Sequence, residues 1–537
     1  KKGMYELIYK INLINNNFSK INYSIVFYTD FLFFNELINQ YARNKKILLK
    51  YSLKCYFFNN LLFSLYKNYY NFKKSIKNLI LPSHNNTKKY FFIQKKNHYL
   101  CLDIYYQNFT NNNQFFYSEL GIVQHPFNLT DNTIYLCSRD DYDYFKYTNN
   151  TNVIRMSSLN KDFTYNNFNI DHLNNMNNYE KSKYLTYFNI YKNYHNFFNN
   201  YKIKIFVTTN IFEPKIAPIY KAAKDASTIL CIKQSSHEDL NTYFTHCYAD
   251  IFFKFNNFYS SLDLSNIKKN NFENINYDIV VGYPYKINDI QIKKEASDIK
   301  SKFNKTGITK IIGYFDAYQN INAYLHNKEF IINDIIFLLD KISNNNYGLV
   351  IKTKKDTFID ECPLFLKNRI NKLISDNKII ILSSANGRIK PCVASHICDV
   401  IIHSSGWSIT AAVESLLLNK LTLVLNRDNW DEGLSRDLKE NNQIFDNIND
   451  LWKFIITSKF DIKTLNEKKL NNIIKKIDPF NDDLGEERIN FFLNLLNSYL
   501  NDNLSKNEAI DRTTREYILQ YGKDKIIKKQ YKNETTN

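Results

Sequence analysis

Two features of this chain have the residue types and spacing that chemistry needs, and both fall within residues 398–426. The first is His403-Ser404-Ser405-Gly406, a tight polar turn after the apolar run Val400 to Ile402 and before a helical run, Ser408 to Leu418. Backbone N–H groups at such a turn, with the positive end of a helix dipole behind them, suit an anion such as a phosphate. The second is Glu414, two turns into that helix, where a carboxylate can accept hydrogen bonds from sugar or ribose hydroxyls. Its neighbours Ala411, Ala412, Val413, Leu416 and Leu417 make the helix apolar on more than one side, so this carboxylate needs a partner. A plain turn with a helix cap, and a solvated helix carboxylate, are the competing structural readings.

The elements around them explain how they would be positioned. With Leu421 to Leu425 as a closing strand, residues 398–426 form a strand, turn, helix and strand, a βαβ unit that implies a parallel sheet. Upstream, Thr309 to Ala317, Tyr347 to Lys354 and Lys378 to Ser384 read as strands, separated by helices near 328–343 and 363–376. Right-handed crossovers bring the carboxyl ends of these strands to one edge. Lys352, Ser383, Ser384, Ser404, Ser405 and Gly406 then converge there. Lys352 could neutralise phosphate charge, although Lys354 and Lys355 also allow a solvated basic loop. His403 could reach the phosphate or serve as a hydrogen-bonded structural histidine.

An earlier α/β cycle precedes this one. Lys202 to Asn210, the strand from Thr228, the strand from Ala249 and Tyr277 to Pro284 alternate with helical runs. Ile25 to Asp30 reads as a first strand, but residues 1–180 are poorly defined. The sequence therefore predicts two Rossmann-like, doubly wound α/β domains facing across a cleft, with C-terminal helices. The expected boundaries are 1–290, a linker at 291–307 that could hold a short helix, 308–500, and a charged helix and tail at 501–537.

The chain has 537 residues, too many for one ordinary core, and a formal net charge of +18 from 71 basic and 53 acidic residues. The lysines are scattered, with no arginine-rich block or nucleic-acid motif, so no nucleic-acid partner is expected. A solvated surface, or attraction to an anionic membrane face or nucleotide, accounts for the charge. The eight cysteines form no CxxC pair, which suits reduced thiols and a cytoplasmic location. Cys392, His396 and Cys398 match no common zinc spacing, and Asp140-Asp141 sits poorly for a metal-nucleotide site, so no metal is expected. The chain lacks GxGxxG and P-loop motifs, which argues against nicotinamide and ATP chemistry. No apolar run is long enough to cross a membrane. The start, KKGMYELIYK, is no signal peptide, and its lack of an initiating Met leaves open a preceding targeting segment.

The order of these segments resembles the GT-B glycosyltransferases, in particular the transferases of capsular and other surface polysaccharides and of teichoic acids. The resemblance covers roughly residues 200–500. It rests on IKQSSHE, ADIFF and VVGYP in the first half, and on LVIKTKK, IIILSS, CDVIIHSSGWSITAAVESLLLNKLTLVLN and DDLGEERINFFLNLL in the second. The chain departs from the family pattern at Ser235-Ser236, followed by His237, where His-Gly is usual. It departs again at Thr353-Lys354, where His-Pro is usual, and at Leu421, where proline is usual.

The resemblance implies a metal-independent glycosyltransferase without a resident cofactor. It would move a sugar or related group from a nucleotide-activated donor to a polysaccharide or glycolipid acceptor, in the cytoplasm with peripheral contact to the inner membrane face. By position, Lys352, Ser383, Ser384, His403, Ser404, Ser405, Gly406 and Glu414 would bind the donor. A base that deprotonates the acceptor hydroxyl would come from the first half, with Asp30, Glu213 and His237 as candidates. A nucleotide-sugar epimerase on the same fold, and an inactive glycan- or partner-binding protein, are the alternatives.

Overall fold

The computed structural model describes residues 100–104, 107–109, 115–118, 133–137, 153–155, 178–209, 216–234, 248–257, 274–304, 307–316, 328–353, 358–383, 389–406, 409–427 and 433–528. The chain divides into two units, residues 1–92 and 93–537, and the description concerns the second. The expected first strand, Ile25 to Asp30, lies outside the described residues.

Two sheets of mainly parallel strands organise residues 93–537. The first contains β1 (Leu100–Ile104), β4 (Thr133–Cys137), β5 (Val153–Arg155), β6 (Ile205–Thr208), β7 (Ile229–Lys233), β8 (Tyr248–Lys254) and β9 (Asn274–Val280). β2 (Gln107–Phe109) and β3 (Phe115–Ser118) form a separate antiparallel pair. The second sheet contains β10 (Lys310–Phe315), β11 (Tyr347–Thr353), β12 (Ile379–Ser383), β13 (Val400–His403), β14 (Leu421–Leu425) and β15 (Ile444–Phe445). Its order is β12-β11-β10-β13-β14-β15, all parallel. The chain therefore winds outward from β10 in one direction and resumes from β13 in the other, the doubly wound order. The first sheet does the same from β1 and β6, and gains β16 (Ile526–Lys528) antiparallel to β9 at its edge.

Burial on both faces explains the unbroken apolar strand sequences: every residue of Ile229–Lys233 and of Leu421–Leu425 is buried. On one face of the first sheet lie α1 (Asn178–Asn200) and α2 (Ile216–Asp225), which contribute Phe197, Phe198, Ile219 and Ala223. The second sheet carries α3 (Ile290–Asn304), α4 (Lys328–Ser343), α5 (Leu364–Ser375), α6 (Pro391–Ile397), α7 (Thr410–Leu417), α8 (Gly433–Glu440), α9 (Ile448–Thr457) and α10 (Glu467–Ile477). Of these, α4, α5 and α9 cover one face, and α3, α6, α7, α8 and α10 the other. Local signals start several helices: Pro391 at the first turn of α6, and Asn447 and Asn466 accepting backbone N–H bonds ahead of α9 and α10.

Two segments differ from the sequence expectation. Residues 290–304, expected as a linker with or without a short helix, are the continuous helix α3. Ile292, Ala296 and Phe303 are buried in the second sheet's core, with Ile299 packed beside them. Their spacing of four, three and four residues is a helical stripe, hidden in the sequence by the lysines and acids between them. At the other end, α11 (Gly485–Asn501) and α12 (Lys506–Tyr521) return to the first sheet. Phe492 meets Phe253 edge to face at 5.5 Å, and the Tyr517 hydroxyl donates to the Val280 carbonyl at 2.8 Å. A Ser505–Glu508 capping box starts α12.

The chain thus crosses between the lobes twice, at 281–289 and at 478–484, and the crossings touch. Arg488 Nη1 donates to the Val281 carbonyl at 3.1 Å, and Asn256 Nδ2 to the Ile477 carbonyl at 2.8 Å. A Cβ on Gly485 would stand 2.6 Å from the Tyr283 carbonyl oxygen, so only glycine lets α11 begin this close to the first crossing.

Candidate functional site

The turn singled out in the sequence sits at the topological switch point of the second sheet, between β10 and β13, where doubly wound sheets open a crevice. β13 pairs with β10 so that His403 lies opposite Phe315, and the Ser404 N–H donates to the Phe315 carbonyl at 3.1 Å. His403 is buried, with Nδ1 2.8 Å from the Ser405 carbonyl. A carbonyl only accepts, so Nδ1 carries a proton and the ring braces the turn. Ser405 is also buried, whereas Ser404 is half-buried. The Ser435 hydroxyl donates to the Gly406 carbonyl at 2.7 Å. Gly406 lies against Asn426, which follows β14: a Cβ there would be 2.3 Å from Asn426 Oδ1. Ile409 holds the N-cap position of α7 and has no acceptor to offer the first amides of the helix.

The neighbouring strand ends add charge and hydroxyls. The Asp316 N–H donates to the Lys352 carbonyl at 3.0 Å, which ties the end of β10 to β11. Lys352 is only 3% exposed, so the alternative of a solvated lysine does not describe it. Its Nζ lies 3.4 Å from the Thr353 carbonyl. Ser383 pairs with Thr353 at the end of β12 and is half-buried. Ser384 lies outside the described residues, as do the candidate bases Asp30, Glu213 and His237.

Glu414 is 3% exposed, and its partner comes from the other lobe. The Tyr283 hydroxyl, on the first crossing, donates to Glu414 Oε1 at 2.9 Å. Glu414 Oε2 is buried and makes no hydrogen bond. Burial pushes the carboxyl above its usual range, opposed first by the Tyr283 hydroxyl and then by Lys390, the Cys392 amide and Lys352. Tyr283 is held by aromatic neighbours, Phe255 at 5.2 Å and Tyr285 at 5.3 Å, both edge to face. Lys233, at the end of β7, places its ammonium 3.9 Å from the Tyr285 ring centre. The corner beside Ser405, expected to open on the groove between lobes, is in this state packed by Asn426 at Gly406 and by Tyr283 at Glu414.

Sequence reasoning passed over Tyr283, Lys233 and Asn426. Tyr283 stood in a Gly-Tyr-Pro turn, Lys233 inside an apolar strand, and Asn426 in an asparagine-rich chain. A lysine within a fully buried run was the one usable signal. Lys254 and Asp278 form a similar buried pair at 2.7 Å across β8 and β9. His396, weighed as a zinc ligand, has Nε2 3.0 Å from the Ile287 carbonyl, and no group of three metal-ligating side chains occurs among the described residues. A cavity of about 270 Å³ lies by the crossings rather than at the corner; Asp478, Asp482 and Asp483 among its lining residues suit no anion. Among the described residues no helix is long and apolar enough to cross a membrane.

The fold thus defines a class: two doubly wound α/β lobes with a polar corner at the switch point of the second. No protein-family model matches the sequence, and no curated protein does. Among solved structures, the chain is similar to Anabaena HepE in complex with UDP and glucose (12% identity, 74% of this chain and 99% of that one, TM-score 0.41). It is also similar to S. aureus MnaA with UDP (14%, 75% and 97%, 0.41). A third is the wall teichoic acid polymerase TagF (10%, 84% and 98%, 0.43).

Proposed function

We propose that this chain is a glycosyltransferase that moves a sugar or related group from a nucleotide-activated donor to a surface polysaccharide or glycolipid. The observation that carries the reading is the convergence of Lys352, His403, Ser405, Gly406 and the open amides of α7 at the β10–β13 switch point. The diphosphate would lie on the amides of 404–406 and α7. The Lys352 ammonium would balance the charge that builds as the diphosphate leaves with the glycosidic electron pair, so no metal is assigned to that step. Glu414 would take the ribose or sugar hydroxyls, with Ser383 and Ser384 at the rim. The acceptor would enter from the first lobe, and Asp30, Glu213 and His237 are the candidates to remove its hydroxyl proton. The net charge of +18 supports work at the inner face of an anionic membrane, from the cytoplasm.

Melting in the presence of UDP, CDP, ADP or GDP tests the donor site: at least one raises the melting temperature, and Ser405→Trp removes the rise. No shift with any of them sinks the reading. A second reading has one observation in its favour: the corner is filled by Asn426 and Tyr283, as in a protein that keeps the fold and binds glycan or a partner without turnover. Binding without product formation, unaffected by Glu414→Gln, is the result that selects it.

A further inference from the structure

The carboxylate assigned to ligand hydroxyls already carries a hydroxyl. Tyr283 donates to Glu414 Oε1 at 2.9 Å, and Oε2 is sealed in the interior without a hydrogen bond of its own. With Glu414 only 3% exposed, no ligand hydroxyl reaches it while Tyr283 stays in place. Tyr283 is not a surface side chain that fell there by chance. It is 2% exposed, wedged edge to face between Phe255 and Tyr285, and its own carbonyl abuts the glycine that starts α11. It therefore moves only with the crossing between the lobes.

We propose that Tyr283 is a residue of the donor site: in the unliganded protein its hydroxyl holds the place on Glu414 that a sugar hydroxyl of a nucleoside diphosphate takes. The inference rests on the donor-site reading of the second sheet. An O–H donor replaces an O–H donor, so the exchange changes no charge, and it couples nucleotide binding to the position of the first crossing. The groups facing the carboxylate are Tyr283 from the crossing, Lys390 and the Cys392 amide at the start of α6, and Lys352 from β11. Only Tyr283 is both a hydroxyl and part of a segment that joins two lobes.

The test is titration calorimetry of UDP, CDP, ADP, GDP and inorganic pyrophosphate into the wild type, Tyr283→Phe, and Tyr283→Phe combined with Glu414→Gln. Removing the competing hydroxyl tightens nucleotide binding by about five- to tenfold, the worth of one hydrogen bond to a charged group. Pyrophosphate, which has no sugar hydroxyl, binds both single-site forms alike, and Glu414→Gln abolishes the gain. Equal or weaker nucleotide binding by Tyr283→Phe, or equal tightening of pyrophosphate, overturns the proposal and leaves the donor site standing. No nucleotide binding to either protein overturns both. Should Tyr283→Phe not fold, hydrogen exchange of the wild type decides: UDP or another binding nucleotide raises exchange across 281–285, and unchanged or reduced exchange there overturns the proposal.

Discussion

Gly406 and Asn426 share a space too small for one more carbon: a Cβ at 406 would lie 2.3 Å from Asn426 Oδ1, 2.7 Å from its Cγ and 3.2 Å from its Cβ. All three atoms belong to one short, buried side chain, so rotation alone cannot clear them. Gly406→Ala is expected to destabilise the protein by about 1–3 kcal/mol through overpacking. Adding Asn426→Ala should return most of the loss. Thermal melts of the two variants check this, and a Gly406→Ala protein as stable as the wild type would refute the packing account.

Lys352 is buried beside the corner, and its charge serves a ligand more than the fold. Replacing a buried charge with an apolar chain of similar length is often neutral for stability. Lys352→Met should therefore melt within roughly 2–4 °C of the wild type. Its affinity for the best-binding nucleotide should drop by at least about tenfold, or ~1.4 kcal/mol. Calorimetry beside a melt separates the two effects, and undiminished affinity would remove Lys352 from the site.

Stability should depend on pH through Glu414. Burial lifts its carboxyl above the usual range, so the folded protein keeps a proton that the unfolded chain has already lost. Its contribution is fully present below about pH 4.3, the ordinary glutamate value, and is lost as pH rises through the folded value. Asp334, Asp478 and Asp483 are raised as well and act in the same direction, so the total curve is not diagnostic. The difference between wild type and Glu414→Gln is: it should move in favour of glutamine as pH rises from about 4.3. A flat difference across that range would contradict the burial argument.

Arg488 joins the two crossings. It is 4% exposed, donates to the Val281 carbonyl, pairs with Asp482 and stacks on Phe480 with 3.5 Å between guanidinium carbon and ring centre. Arg488→Ala should cost roughly 2–4 kcal/mol. Arg488→Lys should recover little, because a single ammonium cannot fork between carbonyl and carboxylate while lying flat on a ring. Chemical denaturation measures both, and full recovery by lysine would show that charge alone matters.

The second lobe was legible almost strand by strand. Runs such as Leu421 to Leu425 and Tyr347 to Thr353 are buried on both faces, and that burial writes itself into composition. Helix α3 was less legible, because its four apolar contacts are spread through a lysine-rich run. The return of α11 and α12 to the first sheet was invisible, since an amphipathic stripe states that a helix packs without stating on what. For the site, the turn and Glu414 were found because a glycine after serines and a carboxylate among alanines are locally odd. Tyr283 was not, in a chain with 41 tyrosines.

By itself the sequence determined which segments are strands and helices, that they alternate in two α/β cycles, and that residues 403–406 end a buried strand. Those are consequences of periodicity and side-chain chemistry acting over a few residues. Only the tertiary structure decided that the turn lies at the β10–β13 switch point, that Asn426 closes on Gly406, and that Glu414 is met by Tyr283 from 131 positions away. Such contacts depend on strand order and on where the chain crosses between lobes, and no local pattern of residues encodes either.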